Sequence, residues 1–157
     1  MNISQVFKLV LAVAACVLVG SVSGYFTAGE IDTWYATLEK PSFNPPNWIF
    51  APVWTLLYVL MGVAFFYFWT TPSDKSKKQG YLAFVVQLVL NFFWSFFFFK
   101  LHAPTLAFVE ILFLLAAILT TLFLFMRVSG RAAALMLPYL AWVVFATFLN
   151  AAIMQLN

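Results

Sequence analysis

Apolar residues run along this chain in five long blocks, separated by short polar or proline-rich punctuation. Each block is roughly 20 residues, the length a helix needs to cross about 30 Å of hydrocarbon. The pattern predicts spans over Val6 to Phe26, Trp48 to Trp69, Gly80 to Phe99, Pro104 to Met126 and Ala132 to Leu156. Three of the connections are short: a charged turn at 70–79, a hairpin at 100–103 that leaves Pro104 in the first turn of the fourth helix, and a turn at 127–131 with Gly130 as its stop signal. Short links force antiparallel neighbours, which predicts an up-and-down bundle.

The first connection, over 27–47, differs from the others. From Trp34 to Trp54 the chain carries Pro41, Pro45, Pro46 and Pro52 among Trp34, Trp48 and Trp54. Each proline removes a donor and pushes the preceding residue towards extended geometry, so a stiff, folded loop is expected here, acting as a lid. Along the first span Ala12, Cys16, Gly20 and Gly24 recur every fourth residue, a small-residue stripe for close helix packing. The fold class is therefore all-α integral membrane: one domain over 1–157, a bundle of five transmembrane helices with a long Pro/Trp-rich loop between helices 1 and 2.

Composition removes the soluble alternatives. With 65% hydrophobic and only 8% charged residues, the chain could not cover a water-exposed surface. The net charge of +3 is a topology signal rather than a nucleic-acid footprint. Lys8, Lys75, Lys77, Lys78, Arg127 and Arg131 fall on one side, and Lys40 and Lys100 on the other. That asymmetry predicts a cytoplasmic N-terminus, with the C-terminus and the helix 1–2 loop outside. The short polar links fit a bacterial cell membrane. The lone Cys16 reads as a packing residue, and neither it nor His102 has the recurrent spacing of a metal site. His102 reads as a solvated loop histidine, and no metal or cofactor is expected.

Three motifs carry a resemblance. They are WYxxLxKPxxxPPxWxFxPVWxxLY from Trp34 to Tyr58, QLVLNFFW from Gln87 to Trp94, and PYLAWVVFATFLN from Pro138 to Asn150. In this order they resemble the translocator protein family, also called tryptophan-rich sensory proteins or peripheral-type benzodiazepine receptors. The resemblance covers nearly the whole chain. It implies a five-helix protein that binds porphyrins, sterols and synthetic benzodiazepine-site ligands inside the bundle, often as a homodimer. It also implies ligand-binding roles for Trp34, Trp48, Phe50 and Ala51. The family's sterol pattern is not carried over, because neither tyrosine nor a basic residue follows Leu149.

The residues can supply such a pocket. Trp54 and Tyr58 share a face of the second span, and Gln87, Asn91 and Ser95 form a polar stripe on the third with Trp94 on its flank. Tyr139, Trp142, Ala146, Leu149 and Asn150 share a face of the fifth, where Ala146 beside Trp142 leaves room. Polar groups facing hydrocarbon are costly, so these stripes should turn inwards, to one another as interhelical glue or to a ligand. Trp48 is the tryptophan best suited to a mere interfacial anchor.

Two charged residues complete the set. Glu110 lies about 9 Å into the fourth span, opposite Trp94 and Ser95 when the hairpin is reflected about His102. Either of those residues could donate to it, ordering Trp94 from behind or making a purely structural bond. Lys40 in the loop is a candidate cation for propionate groups, or a partner for Glu39 or Glu30. Three readings follow: porphyrin binding for transport or sensing, light- and oxygen-dependent porphyrin degradation involving Trp54 and Trp142, or a structural membrane partner associating through faces such as Phe96 to Phe99.

Overall fold

The computed structural model describes residues 2–157 and is built of helices. Five of them are long and apolar enough to cross a membrane. In chain order these are α1 (Ile3–Glu30), α3 (Phe50–Thr70), α4 (Lys78–Ser95), α5 (Pro104–Met126) and α6 (Gly130–Leu156), with a four-residue helix α2 (Trp34–Thr37) between the first two.

Local chemistry sets several boundaries that the apolar pattern misses. α1 begins at Ile3 rather than Val6 because Asn2 and Gln5 form a reciprocal cap, each side chain bonding the other's backbone. It also runs on to Glu30, and Trp34–Thr37 is helical, so the expected loop over 27–47 is shorter and partly folded into helix. The prolines explain the division. Residues 27–37 contain none, whereas Pro41, Pro45 and Pro46 hold the following stretch out of a helix until a 3₁₀ turn at Asn47–Ile49 leads into α3. Pro52 is tolerated in the first turn of α3, where its missing N–H would have had no partner. Gly130 is not a stop signal but the first residue of α6, placed by Ser129, whose side chain accepts from the Ala132 amide.

At its far end α4 widens into a π-helical turn over Phe96–Lys100. The extra residue per turn carries both Phe98 and Phe99 to the interior, although they are adjacent in sequence.

The helices close into a ring, in the order α1, α3, α6, α5, α4 and back to α1. A closed ring of five helices that alternate in direction must contain one parallel contact, and here it is α1 against α4. The short link between α3 and α4 therefore does not make them backbone neighbours, contrary to the simple antiparallel expectation. They meet instead through long side chains across the centre, such as Phe65 stacked on Phe84 at 4.7 Å. α1 and α3 approach closely because they are small where they cross: a Cβ on Gly62 would lie 2.5 Å from the Val13 backbone, and one on Gly20 would lie 2.3 Å from the Tyr58 ring. The outer surface is apolar, with Phe7, Leu18, Phe113, Phe123 and Phe148 exposed, as a hydrocarbon solvent requires.

Candidate functional site

The ring has two ends. The loop end holds residues 31–49 and the π turn; the opposite, basic end holds the α3–α4 and α5–α6 turns. At the loop end an aromatic chamber is lined by Tyr35, Phe50, Trp54, Trp94, Phe98, Phe99, Trp142, Phe145, Ala146, Leu149, Asn150 and Ile153. Its walls stand close to van der Waals contact. The ring centroids of Trp54 and Trp94 are 6.4 Å apart, Trp94 stacks on Phe98 at 5.5 Å, and Phe50 meets Trp142 edge-on at 6.4 Å. The remaining void is about 20 Å³, room for roughly one water.

A second cavity, of about 250 Å³, lies beside it between α1 and α3. Gly20, Ser23, Gly24 and Thr27 line one wall, and Asn47, Phe50, Ala51, Trp54, Thr55 and Tyr58 the other, with Ser95 contributing from α4. The small-residue stripe of α1 thus changes role along its length. Ala12 and Cys16 are buried in packing and Gly20 lies under Tyr58, but Gly24 has open space where a Cβ would stand. Phe50 and Trp54 line both cavities and form the partition between them.

Of the residues singled out in the sequence, Phe50, Trp54, Trp94, Trp142, Ala146, Leu149 and Asn150 come together in the chamber, while Ala51, Tyr58 and Ser95 line the neighbouring cavity. Asn91 and Tyr139 lie beneath, fully buried, in a hydrogen-bonded chain. The Tyr58 hydroxyl donates to Asn91 Oδ1, and Asn91 Nδ2 donates to the Tyr139 hydroxyl at 2.8 Å. Three helices are joined by it, each polar group serving the next, as hydrocarbon surroundings demand. Gln87 is buried one turn further along, with Nε2 3.9 Å from Met61 Sδ and no partner for Oε1.

Trp94 is held differently from the expectation. Its indole N–H donates to Asn150 Oδ1 at 3.1 Å, and Asn150 Nδ2 donates in turn to the Pro104 carbonyl at 2.9 Å. Neither Trp94 nor Ser95 reaches Glu110, whose two carboxyl oxygens are buried without a hydrogen-bond partner. The hairpin reflection assumed a uniform α-helix, and the π turn between Trp94 and Pro104 breaks that register.

Trp34, Lys40 and Trp48 stand outside both cavities. Trp48 is 74% exposed. Lys40 Nζ donates to the Leu38 carbonyl at 3.0 Å and lies 4.9 Å above the Tyr35 ring, so it pairs with neither Glu39 nor Glu30. Trp34 stacks flat on His102 at 4.3 Å. His102 is exposed in the turn, as expected of a loop histidine, but it is engaged: it adopts a φ of 51°, and its Nε2 lies 3.1 Å from Glu30 Oε2. That pair and the Trp34 stack together tie the end of α1, the 31–49 segment and the α4–α5 turn to one another. The segment is pinned at two further points. Tyr35, buried over the chamber, donates to Asn44 Oδ1 at 2.6 Å, and Glu39 exchanges two backbone bonds of 3.0 Å with the Asn157 side chain. Burial pushes the Tyr35 phenol up to about 12.

Sequence reasoning missed Tyr35, Phe98, Phe99, Phe145 and Ile153 in the chamber, and the α1 wall of the second cavity. Tyr35 had a signal, since it adjoins Trp34 in the same motif. Phe145 and Ile153 share the α6 face with Trp142, Leu149 and Asn150 by spacing. The run from Phe96 to Phe99 offered none, because four identical residues show no face.

Comparison with known proteins gives a consistent set of matches. The profile of the TspO/MBR family matches residues 12–156. The chain is 43% identical to the tryptophan-rich protein TspO of Archaeoglobus fulgidus, over 98% of this chain and 99% of that one. It is 37% identical to the translocator protein of Ovis aries over 88% of this chain and 83% of the relative. The tryptophan-rich sensory protein of Cereibacter sphaeroides is also 37% identical, with coverage of 80% and 78%.

Proposed function

Because this chain belongs to the TspO/MBR family and is an integral membrane protein, we propose that it binds a flat, hydrophobic tetrapyrrole such as protoporphyrin IX within the loop end of the bundle. Transport or sensing of that molecule is the activity this reading assigns, and synthetic benzodiazepine-site ligands would enter the same space. The observation that carries the reading is the shared partition. Phe50 and Trp54 separate a nearly filled aromatic chamber from an open cavity of about 250 Å³, so turning these two side chains merges the volumes. A planar macrocycle then finds faces on both sides, from Trp94 and Trp142 on the chamber wall and Tyr58 on the other, with stacking as the main attraction.

In this reading the 31–49 segment is the lid. Lys40, bonded only to carbonyl oxygens and an aromatic face, swings to meet a propionate. The lid faces outside and the N-terminus lies in the cytoplasm, as the Lys/Arg distribution favours. The working unit is a homodimer in a bacterial cell membrane.

Titrating the purified protein with protoporphyrin in the dark, with tryptophan fluorescence as the readout, tests this. Saturable quenching is expected, and it should be lost in a folded Trp54→Ala/Trp142→Ala variant. Linear quenching identical in both proteins would refute the site. A second reading, light- and oxygen-dependent degradation of the bound porphyrin, is favoured by the position of Trp54 against both volumes. Trp54→Phe/Trp142→Phe should then keep binding and lose turnover under illumination.

A further inference from the structure

The basic end of the bundle holds a third cavity, of about 260 Å³, unrelated to the aromatic chamber. Lys75, Ser76, Gln79 and Arg127 line its polar side, and Phe68 and Leu124 form an apolar back wall. Among the described residues neither Lys75 nor Arg127 has a carboxylate within ion-pair distance, and Asp74, the only acid in the α3–α4 turn, pairs with nothing. The Arg127 guanidinium rests over the Phe123 ring at 5.8 Å.

The surrounding backbone adds positive potential. α4 starts at this cavity without a side-chain cap, and its first intrahelical bond is from the Tyr81 amide to the Lys77 carbonyl, which leaves the Gln79 and Gly80 amides unused. The opposing negative end of α3 is covered: Lys77 Nζ donates to the Trp69 and Thr71 carbonyls, and partial desolvation there lowers its pKa. Lys77 thereby pins the turn that presents Lys75 and Ser76. The α5 terminus is likewise closed by bonds from Val128 and Ser129 to the Phe125 carbonyl. Gly80 makes the arrangement possible, because a Cβ there would lie 2.3 Å from the Phe68 ring.

We infer that this cavity is a headgroup site for an acidic phospholipid, its phosphate held by Lys75, Arg127 and the α4 amides. The apolar wall of Phe68 and Leu124 explains why a lipid suits it better than a free anion: the glycerol and first methylenes cover carbon while the phosphate meets the cations.

The test is a titration of the detergent-solubilised protein with fluorescent phosphatidylglycerol, phosphatidylcholine and inorganic phosphate at fixed ionic strength. Saturable phosphatidylglycerol binding is expected. Lys75→Gln/Arg127→Gln should weaken it about thirtyfold, about fivefold for each cation removed, and leave phosphatidylcholine unaffected. Lys78→Gln/Arg131→Gln, which removes the same charge at the same end from residues that do not line the cavity, should change it by less than about threefold. Equal losses in the two double variants would reduce the effect to diffuse surface charge and overturn the site. Phosphate binding without phosphatidylglycerol binding would make the ligand a soluble anion and overturn the lipid assignment.

Discussion

At the basic end of the bundle Phe68 stacks on Phe125 at 4.2 Å and 10° between planes, with Phe84 alongside at 5.7 Å. At the loop end Trp54 meets Tyr58 and Trp94, and Trp142 meets Phe145, at wider, tilted angles, and a 250 Å³ cavity opens against Trp54. Both ends are aromatic and each borders a cavity, yet at the basic end the rings stack on one another, with Phe68 backing the cavity, whereas at the loop end Phe50 and Trp54 stand as a partition between two volumes. The difference lies in what holds the rings. Phenylalanine in the basic half has only packing to satisfy, so the rings settle face to face. Trp94, Tyr58, Tyr139 and Tyr35 must also place a polar atom, and their bonds to Asn150, Asn91 and Asn44 constrain the rings in addition to packing.

This contrast can be broken from either side. Phe125→Ala should remove the centre of the dense half and cost about 3–5 kcal/mol of stability; denaturation in detergent should register the loss while porphyrin affinity in the surviving folded fraction is retained. Asn91→Leu removes the shared partner of Tyr58 and Tyr139, leaves two hydroxyls stranded, and should cost about 1–2 kcal/mol. Unlike the first change, it should also weaken ligand binding, because the floor of the chamber is no longer fixed. Smallest is a pH effect at the lid. Tyr35 donates to Asn44 only while protonated, and its pKa is raised, so the tie is complete below the ordinary tyrosine value of about 10 and is lost as pH rises through about 12. Faster amide exchange in residues 31–49 over that window, absent in Tyr35→Phe, is the expected signature.

The bilayer explains what could be read from the sequence. Five spans, the Pro104 start of α5 and the inward turn of the polar stripes follow from hydrocarbon thickness and the need to satisfy every polar group. The order of helices in the ring did not follow. In lipid both faces of a helix are apolar, so residue patterns barely distinguish a buried face from an exposed one, and chain connectivity alone points to the wrong neighbours for α3. The π turn was hidden in a run of phenylalanines, and with it went the register that misplaced Glu110 against Trp94. His102 and Glu30 are far apart in sequence and met only once the extension of α1 was known.

The central claim is that ligand occupies the α1–α3 cavity and the chamber together across the Phe50 and Trp54 partition. Gly24 offers the cleanest test, since a side chain there meets nothing within 4 Å and replacing a mid-helix glycine favours the helix by up to about 1 kcal/mol. Protoporphyrin titration of Gly24→Leu should show affinity reduced about tenfold or more, since the filled cavity excludes the ring, with the melting temperature unchanged or raised. Wild-type affinity in a folded Gly24→Leu protein would contradict the account.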